Sequence, residues 1–154
     1  MTKNKYLSLV LLVIITFSVS VLGGFVTNVY KEPWYSQIIL PSFNPPSWVF
    51  GPVWGTLYLM MSVAAWFAWN KTKNIRLLNL YLIHLFFNGI WSVIFFGFHS
   101  ITLALVDLII ILLFIIALLK AYYKISLISF YLFLPYFLWS TFALVLNTSI
   151  FLLN

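Results

Sequence analysis

Seven tryptophans stand in a chain that has no cysteine, two histidines (His84, His99) and two carboxylates (Glu32, Asp107). Thiolate nucleophiles, disulfides and thiolate metal sites are therefore excluded, and a metal centre has few donors to draw on. No HExxH pair, P-loop or GxGxxG fingerprint is present, which removes the usual basis for hydrolase and nucleotide chemistry. What the chain offers instead is indole, phenol and amide at helical spacing. Trp54, Tyr58, Met61 and Ala65 recur at i, i+4, i+7 and i+11, as do His84, Asn88, Trp91 and Phe95, and Trp139, Ala143, Leu146 and Ile150. Three such faces turned toward one interior suit a large, flat, apolar ligand held by stacking and oriented by few polar groups. Plain aromatic packing between helices would use the same residues, and both readings stand at this point.

The elements that carry these stripes follow from composition. Of 154 residues 64% are apolar and 6% charged, against about 25% charged in soluble domains. Ten charges cannot cover a soluble surface of this size, so the chain is an integral membrane protein. A span needs about 20 apolar residues, and five segments qualify: 6–26, 48–69, 77–98, 101–119 and 126–153. The net charge of +6 is spread between these segments rather than along one face, which reads as topology signal and not as a nucleic-acid surface. Lys3, Lys5, Lys71, Lys73, Arg76, Lys120 and Lys124 fall on one side and Lys31 on the other. The positive-inside rule then predicts a cytoplasmic N-terminus and a C-terminus outside. Lys3 and Lys5 before an apolar run imitate a signal peptide, but the run exceeds the roughly 7–15 residues of a typical h-region. The expected architecture is an all-α bundle of five transmembrane helices, residues 1–154 forming a single domain, with no internal repeat of the inverted-transporter kind.

Several local features carry expectations of their own. The break at 28–47 holds Pro33, Trp34, Tyr35, Pro41, Phe43, Pro45 and Pro46, and reads either as a rigid lid over the bundle mouth or as an interfacial aromatic anchor. Gly51 and Gly55 form a GxxxG that would let another backbone approach, and Pro52 falls near the first turn of its helix. Asp107, a carboxylate within a span, is expected to be protonated, paired or hydrogen-bonded to an interhelical amide or indole. His84 is expected to be a hydrogen-bonded interior histidine. Pro135 should kink or loosen the last helix. Gly89 and Gly97, two turns apart, could form a dimer contact.

The run Pro41-Ser42-Phe43-Asn44-Pro45-Pro46-Ser47-Trp48-Val49-Phe50-Gly51-Pro52-Val53-Trp54-Gly55-Thr56-Leu57-Tyr58, together with Asn88, Trp91, Ser92, Phe95 and Phe96, then Ala104-Leu105-Val106-Asp107, then Pro135-Tyr136 with Trp139, Phe142, Ala143, Leu146 and Asn147, resembles the TspO/translocator protein family. That family is also known as tryptophan-rich sensory protein or peripheral-type benzodiazepine receptor. The resemblance implies a homodimeric five-helix membrane protein that binds porphyrins such as protoporphyrin IX, or a haem-like tetrapyrrole, in a pocket roofed by the first loop. It carries ligand contacts onto Trp34, Asn88, Trp91 and Ala143, beside Trp54, Tyr58 and Trp139. In some bacterial members a light- and oxygen-dependent degradation of protoporphyrin IX depends on two tryptophans that match Trp54 and Trp139. No obligatory cofactor or metal is implied. The function expected is tetrapyrrole binding in stress sensing or porphyrin homeostasis, with carriage of tetrapyrroles or other flat hydrophobic molecules as the alternative. The animal sterol motif is missing from the end of the last helix, and no transit sequence is evident, which points to a bacterial cell membrane.

Overall fold

The computed structural model describes residues 3–154, with side chains from Tyr6 onward, so Lys3 and Lys5 of the charge asymmetry lie outside the described side chains. Among the described residues five helices are long and apolar enough to cross a membrane. They are α1 (Lys3–Tyr30), α3 (Ser47–Thr72), α4 (Ile75–Ser92), α5 (Ile101–Ile125) and α6 (Leu127–Leu153). A one-turn helix, α2 (Trp34–Gln37), sits in the first connection, and α4 continues into a π-helical turn, Val93–Gly97.

Local chemistry sets the ends. Asn74 caps α4 by accepting from the amides of Arg76 at 3.0 Å and Leu77 at 3.3 Å, while Lys73 closes α3 in the left-handed region with its N–H on the Trp69 carbonyl. Ser126 serves two helices: its N–H ends α5 on Tyr122 O at 2.7 Å, and its hydroxyl caps α6 at the amide of Ser129. α1 outruns the expected end at 26 because Thr27 donates its hydroxyl to the Gly23 carbonyl at 2.8 Å, so a polar residue continues the helix without an unpaired group.

Around the bundle the order is α1, α3, α6, α5, α4 and back to α1. The half that carries the Lys71, Lys73, Arg76, Lys120 and Lys124 end is packed solid, with Met61, Ala64, Tyr81, Ile115, Leu118, Tyr122, Phe133 and Tyr136 sealed from solvent. Lys71 Nζ donates to the Ile125 carbonyl at 2.8 Å and ties the two basic connections together. At the opposite end the 31–46 segment folds back over the mouth. Its Ile39 backbone is held by the Asn154 side chain in both directions, at 2.9 and 3.1 Å, and Phe43 meets Phe142 edge-on. Of the two readings of this segment, the lid describes it.

Three expectations are corrected. A Cβ at Gly51 or Gly55 would meet nothing within 4 Å, so no helix of the same chain packs closely on the GxxxG; Gly51 borders a cavity instead. A Cβ at Gly89 would lie 3.1 Å from Val19 Cγ1, so this glycine serves the α1–α4 contact inside the monomer and not a dimer face. Because α3 begins at Ser47, Pro52 lies in its second turn and leaves the Trp48 carbonyl without the usual partner. Asp107 is 4% exposed and lies in the second turn of α5; no donor among the described residues reaches its buried Oδ2, and the Trp91 indole donates instead to the Ala104 carbonyl at 3.1 Å.

Candidate functional site

The lid-side half encloses a cavity of about 390 Å³, within the range of about 300–1,000 Å³ typical of small-molecule sites. Every long helix contributes. α3 turns Phe50, Gly51, Trp54 and Tyr58 toward it; α4 and its π-turn add Asn88, Trp91 and Phe95; α6 adds Trp139, Phe142 and Ala143. The glycine side of α1, Gly23 and Gly24, leaves room where a larger residue would close it.

The walls are indole and phenyl faces braced by other rings. Trp91 stacks on Phe95 with centroids 4.9 Å apart and planes 11° from parallel. Trp139 meets Phe50 edge-on at 6.1 Å and Phe142 at 5.4 Å. Trp54 lies 5.5 Å from Tyr58 and, edge-on, 6.1 Å from Tyr136. Trp91 uses its N–H internally, whereas the indole N–H groups of Trp54 and Trp139 have no acceptor among the described residues. A ligand in the cavity would meet two flat faces with two free donors.

Beneath the walls runs a buried polar chain. Tyr58 donates to Asn88 Oδ1 at 2.6 Å, Asn88 Nδ2 donates to the Tyr136 hydroxyl oxygen at 3.0 Å, and that hydroxyl is 2.8 Å from His84 Nε2. Tyr136 and His84 are fully enclosed, so the chain begins at the cavity floor and ends in the core. The interior histidine expected from the sequence is thus hydrogen-bonded at Nε2 by a phenol from α6, while its buried Nδ1 has no side-chain partner among the described residues.

The mouth is the charged end. Lys31 is the one charged residue in the cavity wall, its Nζ 3.8 Å from Glu32 Oε1 and 5.1 Å above the Tyr35 ring. Burial pushes the Tyr35 phenol above its ordinary value; a hydrogen bond with Asn44 opposes that rise and the Glu32 charge adds to it.

Six of the seven proposed contact residues, Trp54, Tyr58, Asn88, Trp91, Trp139 and Ala143, line this one cavity. Trp34 does not. It stacks on His99 at 4.8 Å and meets Phe95 edge-on at 5.2 Å, which leaves Phe95 between its indole and the cavity. Its position fits a pin that fastens the lid to the π-turn. Sequence reasoning missed Lys31, read only as topology charge, and Tyr35, Phe50 and Asn147. Phe50 stands one turn before Trp54 on the same stripe and Asn147 one turn after Ala143, so the periodicity extended further than it was followed. Asn147 is 2% exposed and neither amide atom has a partner.

The profile of the TspO/MBR family matches residues 10–153. The chain is 33% identical over 150 residues to the tryptophan-rich protein TspO of Archaeoglobus fulgidus, covering 96% of this chain and 97% of that one. It is 38% identical over 119 residues to the human translocator protein, covering 74% and 70%. To the tryptophan-rich sensory protein of Cereibacter sphaeroides it is 34% identical over 123 residues, covering 80% and 78%.

Proposed function

The chain belongs to the TspO/MBR family, and from that premise we propose that it binds a porphyrin in the lid-side cavity and serves stress sensing or porphyrin homeostasis in the cell membrane. The observation that carries this reading is the wall itself: Trp54, Trp91 and Trp139 face one enclosed space with few polar atoms. That is the chemistry of a flat conjugated ring held by stacking. No histidine, cysteine or methionine lines the cavity, so the commonest axial ligands of an iron tetrapyrrole are missing from its wall and a free-base ring suits it well. Lys31 at the mouth supplies the counter-charge for the carboxylates of such a ring, leaving its apolar edge toward Tyr58 and Asn88.

The free indole N–H groups of Trp54 and Trp139 favour a second step, light- and oxygen-dependent degradation of the bound porphyrin with these indoles as reactants. Homodimerisation belongs to the same reading, through a face other than the one holding Gly89, with the basic end in the cytoplasm. The test is a titration of the purified protein with protoporphyrin IX, followed by tryptophan fluorescence and Soret absorbance, then illumination in air. Saturable binding with quenching is expected; a new absorbing product on illumination supports degradation. Absence of saturable binding overturns the reading, and porphyrin counterflow in proteoliposomes would mark a carrier.

A further inference from the structure

We propose that Tyr136 and His84 form a hole sink for Trp54, drawing an oxidising equivalent out of the cavity wall and into the core; this rests on the photochemical part of the function proposed above. Two phenols touch the Trp54 ring, Tyr58 at 5.5 Å and Tyr136 at 6.1 Å between centroids. Their hydroxyl partners differ in kind. Tyr58 donates to the amide oxygen of Asn88 at 2.6 Å, a group too weakly basic to take the proton. Tyr136 accepts from Asn88 Nδ2 at 3.0 Å and its hydroxyl lies 2.8 Å from His84 Nε2; in the Nδ1–H tautomer of the neutral imidazole, the state the sink requires, Nε2 is a base that accepts the phenol proton. A phenol that loses an electron becomes a strong acid, so its oxidation runs downhill only where a base stands within transfer distance, about 2.6–3.2 Å. Of the two neighbours only Tyr136 has one.

The step balances as follows. Trp54 loses one electron, taken up by the photoexcited tetrapyrrole and finally by dioxygen, which becomes superoxide. Tyr136 then returns one electron to the Trp54 radical cation while its hydroxyl proton passes to His84 Nε2. Indole is restored, and the products are a neutral tyrosyl radical and an imidazolium. No new charge is created in the apolar interior, since the positive charge moves from indole to imidazole. Both final groups are fully enclosed, so the oxidising equivalent is held away from the ligand and from oxygen, and Trp54 is protected from irreversible oxidation.

Electron paramagnetic resonance of protoporphyrin-loaded protein, illuminated and frozen, tests this. Wild type should give a tyrosyl signal that narrows when the protein carries ring-deuterated tyrosine and that grows as the indole radical decays. Tyr136→Phe and His84→Gln should lower that signal at least tenfold and prolong the indole radical. Tyr58→Phe, compared at equal porphyrin occupancy, should keep it. If either buried variant fails to fold, wild type alone decides through solvent deuteration, which should slow tyrosyl growth about twofold or more. A wild-type-sized signal in Tyr136→Phe, an indole radical with no tyrosyl in wild type, or no deuterium effect overturns the sink while leaving the photochemistry standing. Absence of both indole radical and porphyrin bleaching overturns the photochemistry, and the sink with it.

Discussion

An indole contributes to this cavity in two separable ways, as a wall and as an electron donor, and substitution by phenylalanine removes the second while keeping most of the first. Stacking adds about 0.5–1.5 kcal/mol beyond area burial, so Trp54→Phe and Trp139→Phe should each weaken protoporphyrin binding by about tenfold at most. Photoproduct formation at equal occupancy should fall far more steeply, because a phenyl ring is much harder to oxidise; absorbance under constant illumination reads the difference. Product at the wild-type rate in both variants would leave a binding protein with an aromatic wall. Lys31 acts through charge alone. It is partly exposed and already near Glu32, so its attraction for a carboxylate is worth about 0.2–1 kcal/mol. Lys31→Gln should therefore cost the diacid up to about fivefold in affinity, less at high salt, and leave the dimethyl ester of the same porphyrin unaffected. Trp54, Asn88 and Trp139 were readable in the sequence because a helix repeats its face every three to four residues. Lys31 was not, since nothing local says which way a loop lysine turns, and neither was the packing of Trp34 against Phe95, which stands far along the chain and itself lines the cavity.

Glycines within the helices divide by what stands opposite them, and that distinction decides how each tolerates a side chain. At Gly89 a Cβ would already press on Val19 at 3.1 Å, so Gly89→Leu forces α1 and α4 apart. The cost should be about 1–3 kcal/mol or more, seen as a lower thermal midpoint with porphyrin binding and fold lost together; a folded, binding monomer would instead restore the dimer-face reading. At Gly51 open space lies beyond the Cβ. Gly51→Ala should leave the fold intact, with any stability gain near the 0.5–1 kcal/mol of helix propensity, and should act on ligand fit alone. Runs of apolar residues long enough to span a bilayer made the five helices legible. The π-turn was not, because Val93–Gly97 has the composition of an ordinary helix end and its winding serves contacts with Trp34, Tyr35 and Trp91. The path of the lid was equally hidden, being fixed by Asn154, 115 residues away from Ile39.

On the scale of the molecule the bundle is polarised twice, in packing and in charge, and the two coincide. One half is a sealed core ending in Lys71, Lys73, Arg76, Lys120 and Lys124; the other holds the cavity, the lid and Lys31. Basic residues are retained on the cytoplasmic side during insertion, so the orientation proposed above carries a prediction about access: with the basic end in the cytoplasm, the cavity mouth should open on the outer face of the membrane. The absence of cysteine makes the statement easy to examine, because any introduced thiol is the only one in the chain. Gln37 is an exposed residue of the lid and Lys73 an exposed residue of the opposite end. In intact cells a membrane-impermeant maleimide should label Gln37→Cys and spare Lys73→Cys until the membrane is opened with detergent. A bound porphyrin should leave the labelling of Lys73→Cys unchanged, since that end lies a full core away from the cavity. Labelling of Lys73→Cys in sealed cells, with Gln37→Cys protected, would invert the orientation and put the mouth, and the ligand supply, in the cytoplasm.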